Sequence, residues 1–393
     1  MHDHTHTIPV GPQSPTMKEP MCIRVNLEGN YIKKAHVRMG YLHKGIENML
    51  EGKSLIKCLY ITEHICGICS YAHSACFTQA VERLYKIDAH KKAKYIRTIV
   101  AELERIHSHL LWFGFAMHEI GYDTMFQYGM REREYVLECF EKITGNRVIH
   151  AINKFGTVRY DFDKEKEGKF ILDKLAKIEK IYPFYEKMAR KNSVITSRMK
   201  EVGTISKSMA IKHCMVGPMA RASGIKRDIR KDHPYEAYSE VDFELITETA
   251  GDSWARTMVR LREIVESIKI IKQLIKNMPE EPVPKFTKAG PLFMANVPEP
   301  KKTLTYGQVE APRGEDFHFY KIEKGIVKKA RIRTPTFQNI QVIETLLKGV
   351  EIGDIPVIIS SFDPCFSCME RMIVVKDGKK EVLKEDEFRS KYC

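Results

Sequence analysis

Two Cys-x-x-Cys pairs stand almost the whole chain apart, Cys66 and Cys69 in HICGIC and Cys365 and Cys368 in DPCFSC. Thiolates are soft ligands that suit zinc, copper(I), nickel or iron, and four of them can close one site. A zinc ribbon packs its pairs within tens of residues, because there the metal stands in for a core. Here most of a folded protein intervenes. If the pairs meet, the fold must carry both ends of the chain to one buried point. Spacing alone leaves three readings open: an active site assembled from both ends, a structural zinc site, and chance pairs. The other cysteines (Cys22, Cys58, Cys76, Cys139, Cys214, Cys393) are isolated and read as packed or unpaired thiols. Ten cysteines in 393 residues are too few for a disulfide scaffold.

A chain that is 43% hydrophobic can bury a large core. Its start, MHDHTHTIPVGPQSP, has neither the basic nor the apolar segment of a secretory signal. His2, His4 and His6 there read as a frayed terminus rather than a metal site. The longest apolar runs, such as Leu110 to Met117, fall far short of the ~20 residues that span a bilayer. The expectation is a cytoplasmic protein, held at the inner face of a membrane only through partners. The formal charge of +13 is scattered and interleaved with glutamate, as in EKEGKFILDKLAKIEK. That pattern is a solvated helix face, and no recognition motif for nucleic acid accompanies it.

Hydrophobic periodicity gives an α+β, mainly α fold. Residues 21–38 alternate around Glu28-Gly29-Asn30 and predict a β-hairpin, with Glu28 part of its turn. From 43 to 280 the spacing is helical, and 90–119 reads as one long, largely buried helix. Residues 316–334 return to alternation around Lys324-Gly325, and MIVVKDGKKEVL predicts a further small hairpin at the C-terminal tail. A long-helix bundle with small sheets fits, as one domain over 1–393: an N-terminal segment 1–20, the hairpin, the helical core, and a β-containing part 300–393 with the second cysteine motif.

CGICSYAH (66–73) and DPCFSC (363–368) resemble the two signatures of nickel–iron hydrogenase large subunits. GPQSP (11–15), GYLHKGIE (40–47), RIHSHLLW (105–112), GPMARASGIKRDIRKDHPY (217–235), GDSWARTMVRLRE (251–263) and EAPRGE (310–315) are similar to the branch shared by energy-converting hydrogenases, as in methanogens, and the large subunit of respiratory complex I. The complex I homologues lack the four thiolates, whereas this chain keeps them. It also carries Ser14 where the complex I pattern has a quinone-contacting histidine.

The resemblance implies a nickel–iron centre with CO and cyanide on iron. Cys66 and Cys365 would be terminal nickel ligands, Cys69 and Cys368 bridging ones, and Cys365 the base that takes the proton of H2. Glu19 aligns with the family's gate glutamate. His73 would donate to a bridging sulfur, and Arg313, with Pro312 shaping the same wall, would sit over the open metal face. Glu47 matches a glutamate that binds magnesium in many hydrogenases. Arg371 stands where many members have a histidine, and an always-charged guanidinium is a poor ligand. Two arrangements stay open there, Mg2+ at Glu47 or a salt bridge from Arg371 in its place. The chain runs on to Cys393, and the expectation is that this tail is not cleaved. Ser108 replaces an aspartate of many hydrogenases. The implied partners are an iron–sulfur small subunit, ion-translocating membrane subunits and ferredoxin. The alternatives are a complex I-like quinone oxidoreductase subunit and a non-catalytic scaffold with a four-cysteine zinc site.

Overall fold

The computed structural model describes residues 6–14, 18–285 and 300–369, with the strand segments 374–376 and 379–381. The predicted N-terminal hairpin is present: β2 (Cys22–Glu28) turns into β3 (Tyr31–Arg38), with Cys22 opposite Arg38. The segment read as a frayed terminus contributes more than expected. β1 (His6–Val10) adds antiparallel to β2 and makes a three-stranded sheet. It is an edge strand, where Pro9 breaks no ladder that the sheet needs. His6 lies in this strand, while His2 and His4 fall outside the described residues.

The helical core follows. α1 (Ile46–Leu50), α2 (Leu55–Glu63) and α3 (Ser70–Tyr85) lead into α4 (Lys91–Glu119) and α5 (Asp123–Thr144). A two-residue pair, β4 (Asn153–Lys154) and β5 (Thr157–Val158), precedes α6 (Lys169–Lys191), α7 (Ser193–Met199), α8 (Lys207–Lys212), α9 (Gly217–Ala222), α10 (Ile229–Asp232) and α11 (Ser253–Lys276). The predicted helix over 90–119 is α4, whose 29 residues extend about 43 Å. It is buried on nearly every face, although it carries Arg97, Glu102, Glu104, Arg105, His107 and His109. Such charges are tolerated inside only when paired. Arg97 therefore bridges Glu82 and Glu236, and Glu102 accepts from Arg230 and Arg105. His109 meets Glu263, which also binds Arg221.

The second sheet is β6 (Leu304–Ala311), β7 (Gly314–Glu323) and β8 (Ile326–Arg333), in that order. The hairpin predicted at Lys324-Gly325 is its β7–β8 half, and β6 is a third strand that the alternation did not announce. α12 (Pro335–Asn339), α13 (Ile343–Leu346) and α14 (Ile355–Phe362) complete the helices. β9 (Val374–Lys376) pairs with β10 (Lys379–Glu381) as the expected tail hairpin. Its turn and Arg371 lie outside the described residues.

Two packing features bring the chain ends together. Ile23, Val25 and Leu27 of the first sheet pack with Ile343, Leu347, Ile355 and Ile359. Fully buried Trp112 of α4 donates from Nε1 to the Ser360 carbonyl at 2.7 Å. That bond pins α14, which runs directly into the second cysteine motif. An indole with its N–H satisfied is a strong internal anchor.

Candidate metal centre

The four cysteines meet. Cys66 and Cys69 lie just before and at the N-cap of α3, and beyond α14 Cys365 caps, and Cys368 ends, a single 3-10 turn. Sγ to Sγ distances are 3.3 Å for Cys66–Cys365, 3.4 Å for Cys69–Cys368 and 3.0 Å for Cys365–Cys368. All four sulfurs lie within 4.8 Å of one another, and all four residues are buried. The Ile68 N–H donates to Cys66 Sγ at 3.3 Å, and the Thr336 hydroxyl accepts from the Cys365 N–H at 3.0 Å. At Asp363 the chain turns through φ 54, a left-handed conformation that aspartate tolerates. That residue ends α14 and aims the cysteine turn inward.

Hydrogen bonds from Cys365 and Cys368, aided by the Arg313 charge, hold the Cys66 thiol well below its usual range. Burial pushes Cys368 well above it. Deprotonating all four requires a cation at their centre. The donor set fits a soft metal, and the sulfurs are already gathered to bind one.

Arg313 is held close enough to this group to interact electrostatically with Cys365, Cys69 and Cys66. β6 and β7 are joined by the two-residue turn Pro312–Arg313, since Ala311 pairs with Gly314. Gly314 has φ +128 and Gly217 has φ +66; a Cβ on Gly217 would come within 2.3 Å of the Arg313 carbonyl oxygen. Glycine at both places lets the turn press on the start of α9. The guanidinium donates from Nε to the Asp363 carbonyl at 2.9 Å, from Nη2 to Asp363 Oδ1 at 2.9 Å, and from Nη1 to Ser108 Oγ at 3.1 Å. Ser108, read as a loss of charge, is thereby a neutral acceptor for Arg313. Asp363 carries the counter-charge and is held below the ordinary carboxylate range, first by Arg313 among its cationic neighbours. Lys18 also reaches Asp363, at 3.3 Å. Pro312 is buried in the same turn.

His73 stands one helical turn beyond Cys69, with Nε2 at 3.4 Å from Cys368 Sγ and 3.8 Å from Cys69 Sγ. The predicted contact with a sulfur is therefore present, closest to Cys368. Glu104 accepts from the Tyr71 and Ala72 N–H groups at 2.8 and 3.1 Å and caps α3. Burial lifts its carboxyl to about 8.

Glu19 accepts from the Phe366 and Ser367 N–H groups and from the Ser367 hydroxyl. It is fastened to the turn that carries Cys365 and Cys368. Beside it, Lys18, Glu119, Ile359, Ser360, Pro364 and Phe366 line a small pocket. Glu119, at the end of α4, was not anticipated; burial raises its carboxyl to about 7. Glu47 accepts from the Ile332 N–H at 2.6 Å and from Arg331 at 3.3 Å, which ties α1 to β8.

The family described as the 49 Kd subunit of respiratory-chain NADH dehydrogenase matches residues 119–371, and that described as nickel-dependent hydrogenase matches 44–134. The chain is 36% identical over 390 residues to membrane-bound hydrogenase subunit alpha of Pyrococcus furiosus, covering 97% of this chain and 91% of that one. It is 35% identical to the carbon monoxide-induced hydrogenase of Rhodospirillum rubrum, over 93% of this chain and 99% of the relative. A chain in the structure of the membrane-bound sulfane sulfur reductase, an archaeal respiratory membrane complex, superposes with a TM-score of 0.88 at 27% identity, over 94% of this chain and 100% of that one. This chain belongs to the large-subunit family shared by complex I-related, membrane-bound hydrogenases and the 49 Kd subunit of respiratory-chain NADH dehydrogenase.

Proposed function

We propose that the chain is the catalytic large subunit of an energy-converting nickel–iron hydrogenase that interconverts H2 with protons and electrons. The observation that carries this reading is the meeting of four buried sulfurs with a fixed guanidinium close enough to act on them electrostatically. A structural zinc site needs the sulfurs but has no use for a cation held beside them by Asp363 and Ser108.

Cys66, Cys69, Cys365 and Cys368 would hold the metals. When bound, a nickel–iron centre with CO and cyanide on iron supplies the heterolytic cleavage of H2. The protein then has three tasks. Cys365 Sγ would take the proton, as the thiolate that bound metal would make it. Arg313 presents a cation in fixed geometry where charge develops, which needs no reorganisation during the reaction. Glu19, fastened to the next two residues after Cys365, receives the proton and passes it to the pocket where Glu119 is poised near neutrality. Lys18 lines that pocket, and burial lowers its own affinity for a proton. We do not assign magnesium: the Glu47 carboxylate serves β8.

Among the described residues the other cysteines stand outside the four-sulfur group. Electrons would leave through iron–sulfur clusters of a partner subunit, to or from ferredoxin. No helix among the described residues is long and apolar enough to cross a membrane. Ion-translocating membrane subunits would hold the chain at the cytoplasmic face and couple the reaction to a gradient.

The second reading is a complex I-like reductase of a quinone or similar acceptor, favoured by the family match over residues 119–371. Exchange between D2 gas and water protons, measured on the purified complex without any electron acceptor, separates the two. Isotope scrambling that is lost in Cys365→Ser supports the hydrogenase. Acceptor reduction without scrambling supports the reductase.

A further inference from the structure

The two cysteine loops share a tie that involves no sulfur. Between β3 and α1 the chain folds tightly. Gly40 and Gly45 take φ 106 and 70, and the His43 N–H donates to the Gly40 carbonyl at 3.2 Å. Such positive φ values suit glycine. The turn presents Lys44, whose side chain reaches in from the surface. Its ammonium donates to the Ile65 carbonyl, just before Cys66, and to the Ser367 carbonyl, just before Cys368, the latter at 2.8 Å.

An ammonium is a compact charge with three donors. Here two of them meet carbonyls from remote parts of the chain, and among the described residues no carboxylate pairs with it. The cation is spent on backbone position. Charge-assisted bonds of this kind are about twice as strong as neutral ones. Because a peptide is planar, holding its carbonyl also fixes the N and Cα that follow. The Lys44 bonds therefore set where Cys66 and Cys368 begin. Glu19 grips the second loop at its other end, accepting from the Phe366 and Ser367 N–H groups. Ser367 is thus held by an anion at its N–H and by a cation at its C=O. Once metal is bound, the sulfurs need no such tie. Before that, the thiols touch only through contacts of 3.0 to 3.4 Å, and a thiol is a weak donor.

We propose that Lys44 is a positioning residue that clamps the Cys66 loop to the Cys368 loop, so that the four sulfurs stand gathered before metal arrives. It acts through the two cysteines and touches neither metal nor hydrogen. The clamp rests on the reading of the four cysteines as a metal centre, and not on which metals they hold.

Two measurements test it, and neither needs nickel or iron. The first titrates the purified full chain with Co2+ under reducing, oxygen-free conditions and follows the sulfur-to-cobalt charge-transfer and d–d absorption. In Lys44→Met, with the circular dichroism of a folded chain, Co2+ affinity should fall by about 10- to 100-fold, the scale on which lost outer support acts. The d–d bands should change shape with it. Lys44→Arg, whose guanidinium can span two carbonyls, should restore both. Wild-type affinity and bands in Lys44→Met would overturn the proposal, and so would a loss in Lys44→Arg as large as in Lys44→Met. The second measurement needs no weakened variant: nitrogen-15 spectra of the lysine ammonium groups of the full chain, with Lys44 assigned by its absence from Lys44→Arg. Slow exchange of its protons with water supports the clamp; exchange as fast as that of open surface lysines overturns it. A matured complex without nickel and iron, alongside success in both measurements, would remove the hydrogenase reading and leave the clamp standing.

Discussion

Arg313 grips Asp363 twice, through Nε to its backbone carbonyl and through Nη2 to its carboxylate, both at 2.9 Å. The turn after β6 is thereby locked to the residue that begins the second cysteine motif. One side chain both places a cation and fixes the loop bearing two of the four sulfurs.

Arg313→Lys keeps a charge but loses the planar fork that holds both contacts. Hydrogen-dependent dye reduction should fall by about 100-fold, the scale on which fixed electrostatic groups act, while nickel content stays normal. Wild-type turnover would remove Arg313 from the reaction.

Glu104 caps α3 immediately after Cys69. Glu104→Ala leaves two buried N–H groups without an acceptor, which costs about 1–3 kcal/mol for each. Urea unfolding should show this as a lower midpoint with an unchanged slope.

Glu119 predicts a pH signature. Its carboxyl titrates near 7 in the folded chain, against an ordinary value of 4.5. The folded state therefore keeps a proton that the unfolded chain releases. The stability this contributes is complete below pH 4.5 and is lost as pH rises to about 7. Glu119→Gln should flatten that loss in thermal scans and slow proton-coupled turnover.

Glu19→Gln removes a carboxylate from the cysteine turn yet keeps an amide oxygen for its N–H donors. Turnover should slow and D2–water scrambling should fall with it, with the metals still bound. Unchanged rates would end its role as a relay.

Some of this was legible because it repeats locally. α4 announced itself through apolar spacing, and the β7–β8 turn through Lys324-Gly325. Other parts were silent for physical reasons. β1 is an exposed edge strand whose place is set by its partner β2, so its own residues carry no burial pattern. Glu119 owes its character to the pocket formed with Lys18 and Pro364, far away in the chain. Glu47 was matched by motif, whereas its observed partners belong to β8. The four cysteines were readable as pairs, but their convergence depended on the packing of the first sheet against α13 and α14.

The central claim is that these sulfurs hold nickel together with iron. Elemental mass spectrometry of the purified complex measures it directly. The account predicts one nickel in the large subunit, with one iron beyond those of the iron–sulfur clusters, both lost in Cys365→Ser. Zinc in their place, or no metal at the four cysteines, would contradict it.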